Sequence, residues 1–384
     1  MYRHARFARE AGGVIAERTD PRRRLGRARW LACAIFACSG ACAAAGAQER
    51  VTFHTDVTIY GDNTEFHNRF RGGETLLGTA GTFAVDVALG EAAVFRGGVF
   101  LNHRIGSARF AEQWRPVFSL TVDRGPSRFI FGTLDTGPQE GVFAPDLGGP
   151  HGLIPPLQVE TLAYTRPHEG GLQWQLDARR IEQDAWINWQ RLNTAEHRER
   201  FDVGLRGRLP LGTPFPMAVA YQLHHVHEGG QLFDAGPVAD SLAGGPGLVV
   251  EPPIGLFDAS SVEAYLMWSK HVPVRGDPEA GSHGHGLFVR AAAEKSGWRG
   301  HFIFWSGCLW LKDEGDLNYG SRFRDGSVFR PTRHYGEVGL ARIFYEAEGV
   351  SLEGSARAHR IEKDYNYSFR VLARVHLDVP FRRR

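Results

Sequence analysis

A dense group of histidines lies near the middle of the chain, in the segment His224-His225-Val226-His227-Glu228. Imidazole nitrogens bind transition metals or act as general bases, and a neighbouring carboxylate supports either role. If the segment is a β-strand, His225 and His227 share one face and His224 lies on the other, so the three cannot bind one metal without a bulge. Three interpretations stay open: a metal site, a histidine base for a serine such as Ser241 in a lipid-acting enzyme, and a strand end at a membrane boundary.

No G-x-S-x-G and no H-E-x-x-H motif accompanies these histidines. His224, His225, His227 and Glu228 are the catalytic candidates of the enzyme interpretation. The preferred interpretation is the strand end at a membrane boundary, which predicts no metal and no cofactor. A second histidine pair with i, i+2 spacing, His283 and His285, follows a Gly/Pro/Asp turn. We interpret this pair as part of a surface turn.

Two tryptophans, Trp186 and Trp189, stand among amides and arginines in the segment 186–200. Flat aromatic rings beside amide and guanidinium groups can hold sugars, because the ring stacks on C–H faces while the polar groups bond to hydroxyls. The alternative is that both rings belong to the aromatic girdle that membrane barrels place at the headgroups. The same two residues thus predict either a sugar contact or a membrane anchor.

The elements that must position these residues follow a period of two. In the last strand, apolar residues at every second position from Tyr367 to Phe381 alternate with mostly polar or charged ones. The pattern recurs along the chain, and the apolar runs after residue 47 fall short of the roughly 20 residues of a transmembrane helix. A run of 15 residues fits the tilted strand of a membrane barrel better than the 5 or 6 residues usual in a soluble sandwich.

Charges fall on the face opposite the aliphatic residues, as a hydrated lumen allows and a dry core forbids. The predicted lumen and solute residues are Arg96, Arg115, Arg179, Arg206, Arg208, Arg357, Arg370, Arg374, Asp177 and Asp202. Rings of mixed charge can orient polar solutes in a pore. Equally, cross-strand pairs of arginine and acid could plug and brace a narrow lumen.

Connections between the predicted strands alternate between short turns and longer Gly/Pro/Asp-rich segments, as in outer-membrane barrels with short periplasmic turns and long extracellular loops. The pattern gives 15 strands, among them 158–166 and 171–184. Bacterial single-chain barrels have an even number, so we predict 14 or 16, with an error between 228 and 297. The long segments near 136–157, 186–197 and 229–259 read as loops, and the first and last are candidate constriction or lid loops.

The first 47 residues predict a cleaved secretory signal, with residues 48–384 forming a single barrel domain. These residues include nine arginines and three acids. A basic region from Arg22 to Arg29 precedes a short apolar run, Trp30 to Cys38, and a stretch of small residues then ends at Ala45-Gly46-Ala47. Removing this segment would leave Cys308 as the one cysteine, so the exported chain would have no intramolecular disulfide. The remaining chain has more acids than bases, which argues against nucleic-acid binding.

The terminal strand, with its aromatic Phe381 and alternating apolar residues, resembles the assembly signal of Gram-negative outer-membrane β-barrel proteins. The resemblance covers residues 48–384 and is greatest for porin-like channels, with a looser likeness to barrels that transport polysaccharide. It implies an all-β transmembrane antiparallel barrel in the outer membrane. The implied partners are outer-membrane lipid and lipopolysaccharide, the barrel assembly machinery, a hydrophilic solute or glycan, and a second copy of the chain in a homo-oligomer.

Three functions remain open at this point. The first is a channel that passes hydrophilic solutes, with carbohydrate or polysaccharide as one class. The second is a barrel enzyme that acts on membrane lipid through the region from His224 to Glu228. The third is a closed structural or assembly barrel.

Overall fold

Alternating apolar and polar residues build a closed antiparallel barrel of 16 strands in the computed structural model. The structure describes residues 51–137, 148–213, 215–329 and 332–381. The predicted signal segment therefore lies outside the described residues. The strands are β1 Val51–His67, β2 Gly72–Ala88, β3 Ala93–Arg104, β4 Gln113–Arg124, β5 Ser127–Thr133, β6 Gly170–Ala178, β7 Ile181–Arg191, β8 Glu199–Leu211, β9 Met217–Gly229, β10 Ala239–Val250, β11 Ala259–Val272, β12 Ser282–Lys295, β13 Trp298–Cys308, β14 Arg333–Ala347, β15 Val350–Ile361 and β16 Asp364–Pro380.

Each strand pairs with its neighbours in sequence, and β1 pairs with β16 to close the barrel. Closure leaves the paired strands without a free edge. The period of two is visible in β16, where Ser368 and Arg370 are buried on the lumen side while Phe369 and Val371 are exposed on the outer wall. Within the described residues, no helix is long and apolar enough to cross a membrane.

The two ends of the barrel differ in the length of their connections. At one end the described connections have two to eight residues, for example 125–126, 179–180 and 251–258. At the other end, which we call the outer end, residues 134–169 and 309–332 form much longer connections. The outer connection between β15 and β16 has only the two residues 362–363, so the outer rim is low at that point.

The described parts of the two long outer connections, residues 148–169 and 309–329, fold into the barrel. Leu153, Ile154 and Leu157 of the first are completely buried, and Trp310 and Tyr319 of the second are 1% exposed. They join one hydrophobic cluster with lumen-facing residues of the wall. The first connection includes a 3-10 turn, Pro150–Gly152, and a short α-helix, Leu162–Thr165. The interior is therefore filled in part by the protein's own loops.

The structure has 16 strands, one of the two predicted numbers, but it corrects three positions. The predicted strand at 158–166 is wrong, because that segment folds inward and forms the helix Leu162–Thr165. The predicted loop at 229–259 contains β10, and the predicted loop at 186–197 contains the second half of β7. β10 and the second half of β7 were missed because β10 contains Gly244-Gly245-Pro246-Gly247 and β7 ends in amides and charged groups.

Candidate functional site

Three neighbouring strands bring a carboxylate, a histidine and a serine together near the low rim. Glu337 of β14 pairs in register with His359 of β15, and Ser368 lies on β16. All three face the lumen and are 4 to 6% exposed. Tyr335, two residues before Glu337 on the same face, is also buried. We call Tyr335, Glu337, His359 and Ser368 the serine cluster.

The hydrogen bonds of the serine cluster fix the tautomer of a neutral His359. The Tyr335 hydroxyl donates to Glu337 Oε2 and lies 2.8 Å from His359 Nδ1, so Nδ1 carries the proton and donates to the tyrosine oxygen. Nε2 is then free to accept the proton of Ser368 Oγ, which is 2.8 Å away. Glu337 Oε2 also lies 3.4 Å from His359 Nδ1. This is the arrangement that makes a serine nucleophilic.

The carboxylate of Glu337 is held in place from its other side. His301 Nε2 lies 2.7 Å from Glu337 Oε1, and Arg357 Nη1 lies 3.6 Å from the same oxygen. A buried carboxylate is tolerated when positive and hydrogen-bonding groups surround it. Glu337 can therefore remain ionised and stabilise an imidazolium at His359.

A second feature next to Ser368 is an unsatisfied amide. Asn366 lies two residues before Ser368 on the same face and pairs in register with His359. Its Oδ1 accepts a hydrogen bond from the backbone N–H of His67, at 2.9 Å. Its Nδ2 is buried and has no hydrogen-bond partner among the described residues. A buried hydrogen-bond donor without a partner lowers the stability of the fold. Side-chain amides of this kind can stabilise the oxyanion that forms in acyl transfer.

The inward-folded connection 148–169 is fixed to the wall through His151, which is completely buried. Its Nδ1 lies 3.0 Å from Asp184 Oδ2 and its Nε2 lies 3.2 Å from Glu169 Oε2, while its ring stacks on Trp186 at 3.8 Å. Burial alone would lower the pKa of His151, but the hydrogen bonds and charges of Asp184 and Glu169 outweigh it and raise the pKa to about 9. The imidazolium is thus the form that ties this loop to the wall.

The second connection, 309–332, is held by charges as well. Glu314 accepts hydrogen bonds from Arg166 at 2.7 Å and from Gln190 at 2.9 Å. Burial would raise the pKa of Glu314, yet Arg166 and other nearby positive groups hold it well below its usual range. Asp316 forms an ion pair with Arg71 at 3.0 Å. The two inward connections are therefore joined to each other and to the wall.

Several predicted lumen residues contact these connections. Arg357 and Arg370 both pair with Glu160, and Arg206 donates to the backbone oxygen of His151 at 2.7 Å. Asp202 accepts from Trp186 at 3.0 Å. The other predicted lumen residues are placed as follows: Arg96 pairs with Asp86, Arg208 pairs with Glu251, Arg115 and Asp177 are exposed, Arg374 lies on the lumen side of β16, and Arg179 lies in the β6–β7 turn.

The predicted catalytic candidates divide between the two faces of β9. His224 is buried on the lumen side, 3.5 Å from Asp202. His225 and His227 face outward, and both contact Asp240 of β10. Glu228 pairs with Arg200 at 2.6 Å. The strand therefore does not bring the three histidines to one site, and none of them contacts the serine cluster in the described contacts.

The two tryptophans of the predicted sugar contact also lie on opposite faces of their strand. Trp186 faces the lumen and is 3% exposed beneath His151, whereas Trp189 is 46% exposed on the outer wall. Sequence reasoning did not find the serine cluster, because its members come from three strands and form no local motif. The available signal was the polar residues Ser368 and His359 on lumen-facing positions of adjacent predicted strands.

Comparison with solved structures identifies the class. The loop L8 deletion mutant of OmpT, an outer membrane protein of Vibrio cholerae, matches with a TM-score of 0.53 and 10% identity over 85% of this chain and 100% of that chain. The trimer form of OmpT gives 0.52 at 10% identity, with the same coverage. The outer membrane protein OprD from Pseudomonas aeruginosa gives 0.47 at 11% identity over 89% and 98%. The fold is that of a Gram-negative outer-membrane β-barrel.

No curated protein matches the chain. The sequence model of a family described as "Lipid A 3'-O-deacylase-type" matches residues 43–383, nearly the whole chain. The chain belongs to this lipid A 3'-O-deacylase-type family.

Proposed function

We propose that this protein is an outer-membrane hydrolase that cleaves an acyl ester of lipid A, with Ser368 as nucleophile. The observation that carries the proposal is the 2.8 Å contact between Ser368 Oγ and His359 Nε2, with the other ring nitrogen held by Tyr335 and Glu337. The family name supports the substrate class, since an O-deacylase removes an acyl chain from an oxygen.

The proposed reaction follows acyl transfer through a serine. His359 Nε2 takes the proton of Ser368 as Oγ attacks the ester carbonyl, and Glu337 stabilises the imidazolium that forms. Asn366 Nδ2 is the candidate donor to the oxyanion. The sugar hydroxyl leaves with the proton from His359, and water then hydrolyses the acyl-serine, with His359 again as base. The products are a free fatty acid and a lipid that carries one acyl chain fewer.

Access to Ser368 is supported by the shape of the outer rim. Ser368 lies four residues below the start of β16, or about 13 Å along the strand at roughly 3.3 Å per residue. The β15–β16 connection above it is only two residues long, so a lipid of the outer leaflet meets a low wall there. Since Ser368 is 6% exposed, the acyl group can reach it only after the side chains packed around it shift.

The channel hypothesis from the sequence is less well supported, because lumen arginines contact residues of inward-folded loops. It remains a prediction for hydrophilic solutes or glycan, and conductance in planar bilayers tests it. Enzymatic use of the region from His224 to Glu228 also remains a prediction. The same holds for homo-oligomerisation and for contact with the barrel assembly machinery.

The test is release of fatty acid from purified lipid A by the refolded protein in detergent micelles. Wild-type protein should release fatty acid, and Ser368→Ala should reduce the rate by at least about 10³-fold, as loss of a serine nucleophile does in other hydrolases. A fluorophosphonate probe should label Ser368 and leave the variant unlabelled. Mass spectrometry of the lipid identifies which acyl chain is lost.

The matched control is Ser269→Ala. Ser269 also faces the lumen near the outer end, is 3% exposed, and has no hydrogen bond to a histidine among the described contacts. This variant should keep full activity and probe labelling. Equal activity of wild type and Ser368→Ala would overturn the proposal, as would a wild-type protein that folds but neither hydrolyses lipid A nor reacts with the probe.

A further inference from the structure

The outer wall carries a second group of ionisable residues near the outer end of β9 and β10. His225 Nε2 and His227 Nδ1 lie 3.0 Å and 2.8 Å from the same atom, Asp240 Oδ1. Arg275, in the next outer connection, also reaches this carboxylate. We call His225, His227, Asp240 and Arg275 the rim cluster. The outer wall of a membrane barrel is mostly apolar, so two histidines and an acid that converge there require an explanation.

We propose that His225, His227 and Asp240 bind one transition-metal ion of the zinc class. The three ligand atoms lie within 4.8 Å of one another, which is the spacing that a single ion spans. Two imidazoles and a carboxylate suit zinc, copper or nickel, while calcium and magnesium prefer oxygen ligands alone. The remaining coordination positions would face the headgroup region and take water or a phosphate oxygen.

The ligands are positioned by the sheet itself. The two histidines are separated by one residue on a single strand, and Asp240 lies opposite His227 in the register of the paired strands. The ring of Phe201 packs against His227 with ring centroids 5.0 Å apart. Sites on paired strands are held more accurately than sites on loops. Little rearrangement is needed for these three groups to enclose an ion.

Two other groups of histidines and acids are weaker candidates. In the lumen, His224 lies near Asp202 and Glu314, but those carboxylates already accept hydrogen bonds from Trp186, Asn188, Gln190 and arginines. At the opposite end of the barrel, the side chains of His376 and Asp378 are more than half exposed beside His54. The rim cluster combines partial burial with a fixed geometry.

Arg275 is the group that competes with the ion. Its Nη2 donates to Asp240 Oδ1 at 3.0 Å and lies 3.4 Å from His227 Nδ1, so it lies among the ligand atoms. Its side chain is 59% exposed and can turn into solvent when an ion binds. A bound ion would therefore replace the exposed Arg275 guanidinium as the cation beside Asp240.

The test is titration of zinc chloride into the full chain, refolded in detergent after chelation, with its cysteine thiols alkylated. Isothermal calorimetry should show one site in wild type and a loss of at least about 100-fold in affinity for His225→Ala/His227→Ala, because two ligands are removed. Circular dichroism of both proteins checks that the variant folds. The proposal does not depend on lipid hydrolysis, so the two can fail separately.

The chain offers a matched control in His283→Ala/His285→Ala. These histidines have the same spacing and the same outward orientation at the outer end of β12. They lie opposite Lys270 and Trp268 in register and have no carboxylate partner among the described contacts. This variant should bind zinc as wild type does. Absence of zinc binding in folded wild type would overturn the proposal. So would zinc binding that persists in the rim variant, or that is lost in His376→Ala.

Discussion

The serine cluster and the rim cluster use similar residues on opposite faces of one sheet. In each, a histidine contacts a carboxylate on a neighbouring strand: His359 with Glu337, and His227 with Asp240. The first pair faces the lumen at about 5% exposure and is joined by a serine and a tyrosine. The second faces outward, and a second histidine and an exposed arginine complete it.

The difference shows that the face of the strand on which a histidine lies determines which chemical role it can take. The lumen-facing His359 lies between polar groups of β14 and β16, so both of its nitrogens are hydrogen-bonded and its neutral tautomer is fixed. An outward histidine has few polar neighbours apart from those at the rim, so a nitrogen can be given to an external ligand. The lumen cluster is therefore suited to proton transfer, and the rim cluster to binding an ion.

The largest expected difference between the two clusters is the loss of stability when the carboxylate of each, Glu337 or Asp240, is replaced by its amide. Glu337→Gln removes a buried charge that Arg357 and His301 face, and should lower the free energy of unfolding by about 3 to 5 kcal/mol. Asp240→Asn, beside the exposed Arg275, should lower it by less than about 1 kcal/mol. Urea unfolding of both variants in detergent micelles, followed by tryptophan fluorescence, measures the difference. Equal losses would contradict the assigned difference in burial.

The stability of the fold should also depend on pH through His151, and a neutral side chain at this position should abolish that dependence. Because the folded-state pKa of His151 is raised to about 9, its stabilisation is complete below the unfolded value of about 6.5 and is lost as pH rises through about 9. The contribution is at most roughly 3 kcal/mol. Melting temperatures of wild type between pH 6 and 10 should fall relative to those of His151→Gln. Parallel profiles would show that His151 is not charged in the fold.

A smaller effect is expected from Tyr335→Phe. This change removes the hydroxyl between His359 and Glu337, but His359 Nδ1 can still reach the carboxylate, which is 3.4 Å away. The rate of lipid A deacylation should fall about tenfold, the value of one hydrogen bond, with little change in KM. Tyr319→Phe, which keeps the ring packed on Tyr335, is the control. A fall as large as that of Ser368→Ala would mean that the tyrosine itself takes part in the chemistry.

The sequence predicted the barrel well because lumen and lipid impose opposite demands on alternate residues. The strands that it missed are those in which this contrast is weak. In β10 the run Gly244-Gly245-Pro246-Gly247 looks like a turn, although β9 and β11 pair with the strand around it. In β7 the polar residues Asn188 and Gln190 suggest a loop, whereas they face the lumen and contact Asp202.

The candidate site was harder to predict from the sequence than the fold. Period and parity place Ser368 and His359 on the lumen side, but the pairing register that brings them within 2.8 Å depends on the length of the β15–β16 turn. The inward folding of residues 148–169 was also hidden, because a segment with Val159, Thr161 and Ala163 alternates like a strand. The contacts that hold it there, such as those of His151 with Asp184 and Glu169, join residues that are far apart in the sequence.

A comparably small effect separates the two roles open to Arg275 at the rim. If Arg275 competes with an ion for Asp240, then Arg275→Ala should bind zinc about tenfold more tightly, since a like charge leaves the site. If Arg275 instead orients the carboxylate through Oδ2, which it contacts at 2.7 Å and 2.9 Å, affinity should fall. We expect the first result, because Nη2 also contacts Oδ1 and His227 Nδ1, the atoms that the ion would bind. Arg275→Gln, which keeps a hydrogen-bond donor without the charge, should bind zinc with intermediate affinity, and a loss of affinity in both variants would contradict competition.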